Sequence, residues 1–403
     1  MMKSLFSETT RTMKSSLIRE LVASTRNIEG LISFAGGFPS PKTFPKETLA
    51  ALYQEVVSNE GASVLQYGAS EGDSELKKEL FKWEGYDLGQ DKMLITVGAT
   101  NAIYYMTRAL VDPGDVVICE APSFLGSLVA FEALGADLQA VPLDLEGIDM
   151  NALSEKVEAC HKAGKKVKMI YTIPDFHNPA GLTMSYARRK DLIEYALAMN
   201  IPILEDNPYS RLRFSGEPVP TLFRIAHEEY RNNSIVMEVV SFSKILGPGM
   251  RIAYAKGDSM LIERMCSWQQ KVNITPDCVS QRVTARFLSG GYMQPHLDKT
   301  CDFYRPYLNR MLSAMATSLP PYIQYTRPEG GIFTWLWLPE DMNADSLFEK
   351  AKAHKVSFIP GSKFYPSGQE KFNCLRLNFS YSTVEQIDAG IKALGQMMEE
   401  FYT

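Results

Sequence analysis

Ser241-Phe242-Ser243-Lys244-Ile245-Leu246-Gly247-Pro248-Gly249-Met250-Arg251 follows directly on the apolar run 235–240. That run reads as a buried strand, so Lys244 lies just beyond a strand end, where open α/β sheets place their ligands. A single lysine in a polar loop is ordinarily solvated. Here Ser241, Ser243 and Arg251 flank it, and together they could hold a dianionic phosphate. The stretch predicts a parallel-sheet protein with a lysine facing a phosphate.

Outward from this stretch, strand and helix alternate. The pattern predicts strands over 93–97, 116–119, 167–172, 202–205 and 235–240, with helices over 100–111, 123–134 and 185–199 between them. Such alternation implies a mostly parallel sheet with helices on both faces. Helices are also expected over 16–23, 47–59, 75–83, 261–272 and 278–288, the one at 75 capped by Asp73 or Ser74. A long helix over 295–319 connects to a C-terminal part with strands over 331–338 and 374–379 and helices over 347–354 and 383–401. The strand at 331 alternates as if half-buried. This part reads as a smaller α+β domain. The expected division is an N-terminal arm and part of the small domain over 1–45, a large domain over 46–290 and a small domain over 291–403.

The chain has 403 residues, 45% hydrophobic and 22% charged, with a formal net charge of -5. That length favours two domains over one core. No basic block stands out, which argues against nucleic acid and anionic membranes as partners. Six scattered cysteines and five isolated histidines suggest free thiols in a reducing cytoplasm and no metal site. No segment is long enough to span a bilayer. G-x-x-x-x-G-K-[ST] is missing, as is G-x-G-x-x-G after a strand, which sets a nucleotide binder aside.

Other strand ends carry residues that suit the same ligand. Ala99 and Thr100 open a helix directly after a strand and Gly98, where unsatisfied N–H groups and the helix dipole favour a phosphate. Asn178-Pro179-Ala180-Gly181 and Asp206-Asn207-Pro208-Tyr209 each follow a strand. Arg376 sits mid-strand among apolar residues, a costly placement unless its guanidinium meets a carboxylate.

Together N-P-x-G, D-x-x-Y and S-x-S-K-x-x-x-P-G-x-R, in this order after successive strand ends, resemble the motifs of the class I and II aminotransferases. These enzymes use pyridoxal phosphate and have fold type I, a mostly parallel seven-stranded sheet between helices plus a smaller α+β domain. The resemblance runs from about Ser16 to the C-terminus and is closest to the 2-aminoadipate and kynurenine branch. It implies that Lys244 carries the cofactor as a Schiff base and then moves the α-proton. Asp206 keeps the ring nitrogen protonated, and Tyr209 and Asn178 bond the ring's phenolic oxygen. Phe124 stacks on the ring, lacking the hydroxyl of the tyrosine commonly found there, and Ala180 replaces the usual threonine. Ala99, Thr100, Ser241, Ser243 and Arg251 surround the phosphate, with Tyr67 reaching it from the other subunit of a homodimer. Arg376 clamps the substrate's α-carboxylate beside Asn178 and Gly37, and Arg19, on the mobile helix at 16–23, meets a side-chain carboxylate. The aromatic and apolar residues near Phe38 and Tyr104 allow aliphatic or aromatic substrate side chains, and sequence alone does not place them in the pocket.

The implied reaction moves an amino group between an L-amino acid (2-aminoadipate, aromatic or aliphatic) and a 2-oxo acid, with 2-oxoglutarate as the expected acceptor, by a ping-pong cycle in the cytoplasm. Two alternatives use the same scaffold: another pyridoxal-phosphate reaction (β-lyase, cyclase or decarboxylase), or a ligand sensor without catalysis.

Overall fold

The expected alternation is present in the computed structural model, which describes residues 5–7, 10, 11, 25, 28–86, 88, 89, 92–232 and 234–402. Strand β1 (Ile32–Ser33) precedes helices α1 (Lys46–Val64) and α2 (Ser74–Glu84). The Asp73 carboxylate caps α2 by accepting the Leu76 N–H at 2.9 Å. The sheet is then built from β2 (Met93–Val97), α3 (Ala99–Leu110), β3 (Val116–Ala121), α4 (Leu125–Ala133), β4 (Asp137–Asp144) and β5 (Gly147–Ile148). It continues through α5 (Met150–Lys162), β6 (Val167–Thr172), α6 (Tyr186–Met199), β7 (Ile203–Asn207), α7 (Leu222–Glu228), β8 (Val236–Ser241) and β9 (Ile252–Lys256). Helices α8 (Ser259–Val272), α9 (Cys278–Ser289) and the long α10 (Met293–Ser318) follow. The C-terminal part comprises β10 (Gln324–Tyr325), β11 (Phe333–Trp337), α11 (Ala344–Ala351), β12 (Val356–Ser357), β13 (Ile359–Pro360), β14 (Cys374–Asn378) and α12 (Val384–Tyr402).

The large sheet runs β2-β9-β8-β7-β6-β3-β4-β5. Strands β4, β3, β6, β7 and β8 pair in parallel, while β9 is antiparallel to both of its neighbours. The seven strands expected are therefore corrected to eight among the described residues, because β4 turns back at Gly147 into the two-residue β5. Alternate residues of β3 show why the sheet is buried on both sides. Val117 and Cys119 join a core with Ile103, Met106 and Met265 under α3 and α8. Val116 and Ile118 join the opposite core with Leu192, Ile193 and Phe223 under α6 and α7.

The smaller sheet is antiparallel, in the order β10-β11-β14-β13, and β1 pairs in parallel with β12 beside it. The expected half-buried strand at 331–338 is corrected here. Phe333 through Leu336 are all buried, since Phe333 and Leu336 pack into one core and Trp335 into another. Helix α1 also runs past the expected end at 59 to Val64, held where Glu60 pairs with Arg282 and Arg286 of α9.

Candidate active site

Parallel strands point their C-terminal ends the same way, so the loops after β2, β3, β6, β7 and β8 converge on one edge of the sheet. There they enclose a cavity of about 330 Å³, closed from the other side by Gly37, Phe38 and, from the small sheet, Phe333 and Arg376. Of the residues singled out in the sequence, Ala99, Thr100, Phe124, Asn178, Asp206, Tyr209, Ser241, Ser243, Lys244, Arg251, Arg376 and Gly37 all line it.

At one end lies the start of α3. Its N-cap, Gly98, offers no side chain, so the first N–H groups of the helix are uncapped. Gly98 has φ 78°, and a Cβ there would collide with the Arg251 guanidinium; only glycine lets the arginine lie against this turn. Arg251 reaches the Val97 carbonyl at 3.3 Å. Ser241 Oγ accepts the Ser243 N–H at 3.2 Å, fixing the turn before Lys244. Hydroxyls, a guanidinium and a bare helix start are a donor set for a phosphate dianion.

Lys244 Nζ donates to the Gly37 carbonyl at 2.8 Å. Burial, followed by the positive charges of Arg376 and Arg251, brings its pKa down to about 8. The amine is thus readily available in its neutral, nucleophilic form.

Asp206 is buried at the end of β7, and burial raises its carboxyl to about 6 against the lowering pull of a hydrogen bond from Tyr171. Its Oδ2 accepts that bond at 2.7 Å. Its Oδ1 has no hydrogen-bond partner among the described residues. A buried carboxylate oxygen left open in a cavity fits a protonated ring nitrogen. Pyridoxal phosphate would meet that oxygen at its pyridine end, the donor set at its phosphate end and Lys244 at its aldehyde.

Arg376 is fully buried, its guanidinium over the Phe333 ring with 4.2 Å to the centroid. It donates to Asn178 Oδ1 at 3.0 Å and to the Ala35 carbonyl at 2.7 Å, and its Nε has no partner among the described residues. Burial lowers its pKa to about 10, leaving it cationic at neutral pH. The Tyr209 hydroxyl bonds Asn178, and burial raises its pKa.

The loop carrying Asn178 is braced by residues that the sequence reading passed over. Asp175 forms a two-pronged pair with buried Arg189 of α6, at 2.9 and 3.1 Å. His177 Nδ1 accepts the Ala180 N–H at 3.2 Å, so its other nitrogen donates to Glu120 at 3.0 Å. Glu120 also accepts the Thr172 hydroxyl and the Ile173 N–H. Gly181 has φ 68°, and a Cβ there would lie 2.6 Å from the Phe333 carbonyl oxygen. The loop therefore lies directly against β11. A histidine beside Asn-Pro was the visible signal; the others read as core.

Other expectations fared differently. Tyr67 does not line the cavity of the single chain and is 76% exposed. Arg19 and the helix expected over 16–23 lie outside the described residues. Of the region around Phe38 and Tyr104, Phe38 and Ile103 line the cavity, while the Tyr104 ring meets Tyr105 edge-on at 5.9 Å. Among the described residues no group of acidic, histidine and cysteine side chains could hold a metal, and no helix is long and apolar enough to cross a membrane.

Comparison with known proteins agrees with this geometry. The profile for aminotransferase class I and II matches residues 32–394. Aromatic-amino-acid aminotransferase 1 of Thermococcus litoralis is 39% identical, covering 98% of this chain and 94% of that protein. The 2-aminoadipate transaminase of Thermus thermophilus is 32% identical over 96% of this chain and 94% of that one. The crystal structure of Pyrococcus horikoshii kynurenine aminotransferase, with PMP, KYN as substrates and KYA as products, superposes with a TM-score of 0.94. It is 36% identical and covers 100% of this chain and 98% of that one. The chain belongs to the class I and II aminotransferases, transferases that use pyridoxal phosphate and have fold type I.

Proposed function

We propose that this aminotransferase takes its amino group from aromatic L-amino acids and passes it to a 2-oxo acid, 2-oxoglutarate foremost, in a ping-pong cycle. The observation that carries this reading is the distribution of charge around the cavity. Its cationic lining residues among those described are Lys244, Arg251 and Arg376. Two have tasks at the cofactor and one suits an α-carboxylate, while Phe38, Pro39, Ile103 and Phe333 offer rings and hydrocarbon to a side chain.

Pyridoxal phosphate bound here supplies an electron sink that acidifies the substrate's α-hydrogen. The protein's residues do the rest. Arg251, Ser241, Ser243, Thr100 and the Ala99 turn would hold the phosphate, and Phe124 would cover one face of the ring. Asp206 would serve the ring nitrogen, with Asn178 and Tyr209 at the phenolic oxygen. Arg376 gives up the Ala35 carbonyl or uses its open Nε to grip the α-carboxylate. Lys244, neutral once displaced, takes the α-proton and returns it one position along.

Tyr67 is exposed on the single chain and would reach a phosphate only in a partner's site, which supports a homodimer. The acidic charge balance and six free cysteines support a cytoplasmic protein without nucleic-acid or membrane partners.

The test is visible absorbance of the holoenzyme in single turnover. L-Phenylalanine should bleach the cofactor band at least about tenfold faster than L-2-aminoadipate at equal concentration, a discrimination that apolar pockets reach. Adding 2-oxoglutarate should restore the band, with phenylpyruvate as the first product. Faster bleaching by 2-aminoadipate would move the assignment to acidic donors, and release of ammonia would replace transfer by lyase chemistry.

A further inference from the structure

Beneath Asp206 runs a chain of hydroxyls that no step above uses. Ser127 of α4 donates from Oγ to the Tyr171 hydroxyl oxygen at 2.8 Å, and Tyr171 of β6 donates to Asp206 Oδ2 at 2.7 Å. All three side chains are buried, with exposures of 2%, 0% and 3%. The Tyr171 ring is held edge-on by Phe131, with centroids 5.2 Å apart and an interplanar angle of 75°. The order of the bonds is fixed by chemistry. An ionised carboxylate only accepts, so the single tyrosine hydrogen is committed to Oδ2, and the serine hydrogen fills the phenol oxygen's own lone pair. The relay thereby occupies one carboxylate oxygen and leaves Oδ1 open to the cavity.

We propose that Tyr171, backed by Ser127, is a positioning residue that keeps the Asp206 carboxylate ionised and turned toward the cavity, and so sets the protonation of the ring nitrogen bound there. The inference rests on the assignment of Asp206 to that nitrogen. Three further groups face Asp206. His177, on the loop after β6, is neutral, its Nδ1 accepting from Ala180 and its other nitrogen donating to Glu120. Tyr209, past the end of β7, feels its charge in turn, and Lys244 shares its cavity. Of these groups Tyr171 makes the direct hydrogen bond. Helix α4 also begins beside Phe124, its N-cap, so one helix start places both the ring-stacking residue and the serine that orients the relay.

The experiment compares wild-type holoenzyme with Tyr171→Phe and Ser127→Ala, reading cofactor dissociation constant, melting temperature and the pH midpoint of the cofactor's visible absorbance. Loss of one hydrogen bond to a buried charge should weaken cofactor binding by about tenfold to a hundredfold in Tyr171→Phe. The midpoint should rise by about 1 to 2 pH units. A ring less firmly protonated draws fewer electrons from the Lys244 nitrogen, which then keeps its proton to higher pH. Ser127→Ala should move the midpoint the same way by less, and it carries the test if Tyr171→Phe does not fold. In an Asp206→Asn background, Tyr171→Phe should shift nothing further. A purely structural tyrosine would lower the melting temperature and leave the midpoint in place, which overturns the proposal. Wild-type protein showing no cofactor band, or a midpoint in Asp206→Asn equal to the wild type's, would instead overturn the assignment beneath it.

Discussion

Strand β7 separates two clusters of buried charge that begin alike and end differently. Its successive residues Glu205, Asp206 and Asn207 alternate between the faces of the sheet. On one face, both Glu205 oxygens accept backbone N–H groups, from Leu222 and Phe223 at 2.9 Å each. Asn207 donates to Glu238 at 2.8 Å, and Lys256 joins Glu238 and Glu84 at 2.9 and 2.8 Å. Burial would raise the Glu84 carboxyl, but Lys256 and Arg211 hold it at about 2. On the other face, Asp206 keeps an open oxygen and Arg376 an open Nε. Both clusters bury ions, and only the one facing the cavity leaves them incomplete. Unsatisfied buried polar atoms are uncommon, and where a carboxylate oxygen and a guanidinium nitrogen of this kind belong to residues lining one cavity, they mark where a ligand finishes the structure.

This comparison can be broken by substitution. The largest effect is expected at Lys244. Lys244→Ala removes both the covalent attachment and the proton carrier, and should reduce steady-state transamination by roughly 10⁴-fold or more. Ordinary multiple turnover in that variant would remove Lys244 from the reaction.

On the completed face, Lys256→Met should act on stability instead. It leaves Glu238 buried without its cation and Glu84 with Arg211 alone, 3.8 Å away, a loss of about 3–5 kcal/mol in denaturant unfolding. The kcat/KM of the folded fraction should stay close to the wild-type value. A large fall in kcat/KM with unchanged stability would mean that the two faces are not separate in function.

The subtlest test contrasts pH. Asp206 in cofactor-free protein has a pKa raised to about 6, so the folded chain holds a proton that the unfolded chain sheds near pH 4. Such a group destabilises the fold as pH rises through that window, by about 3 kcal/mol in full for roughly two units. Stability relative to a cofactor-free Asp206→Asn variant should therefore fall from pH 4 to pH 7, followed by melting temperature. A constant difference across that range would show that Asp206 is solvated rather than held ready for a cation.

Much of the site was legible because its chemistry is local. Lys244, Asp206, Asn178 and Arg251 each sit at a strand end or in a turn that composition marks. Arg376 stood out because an arginine is costly inside an apolar strand. The relay was not legible, since Tyr171 and Ser127 look like any core tyrosine and helix serine until β6 and α4 lie side by side. Strand β9 and helix α5 were passed over as well. The run of β9 is too short to carry a period, whereas α5 does carry one, with an Asp149 cap and Leu153, Val157 and Cys160 at helical spacing, a signal the reading missed.

The alternating order of elements and the types of residue at their ends follow from the chain read locally, because hydrophobic period and turn chemistry act over a few residues. Which polar atoms find partners emerges once the chain is folded. That depends on pairings such as Tyr171 with Asp206, or Arg376 with Ala35, that span 35 and 341 positions. One oxygen of Asp206 on β7 is taken by Tyr171 of β6, backed by Ser127 of α4, and the other is left without a partner among the described residues; no local signal encodes an absence of that kind.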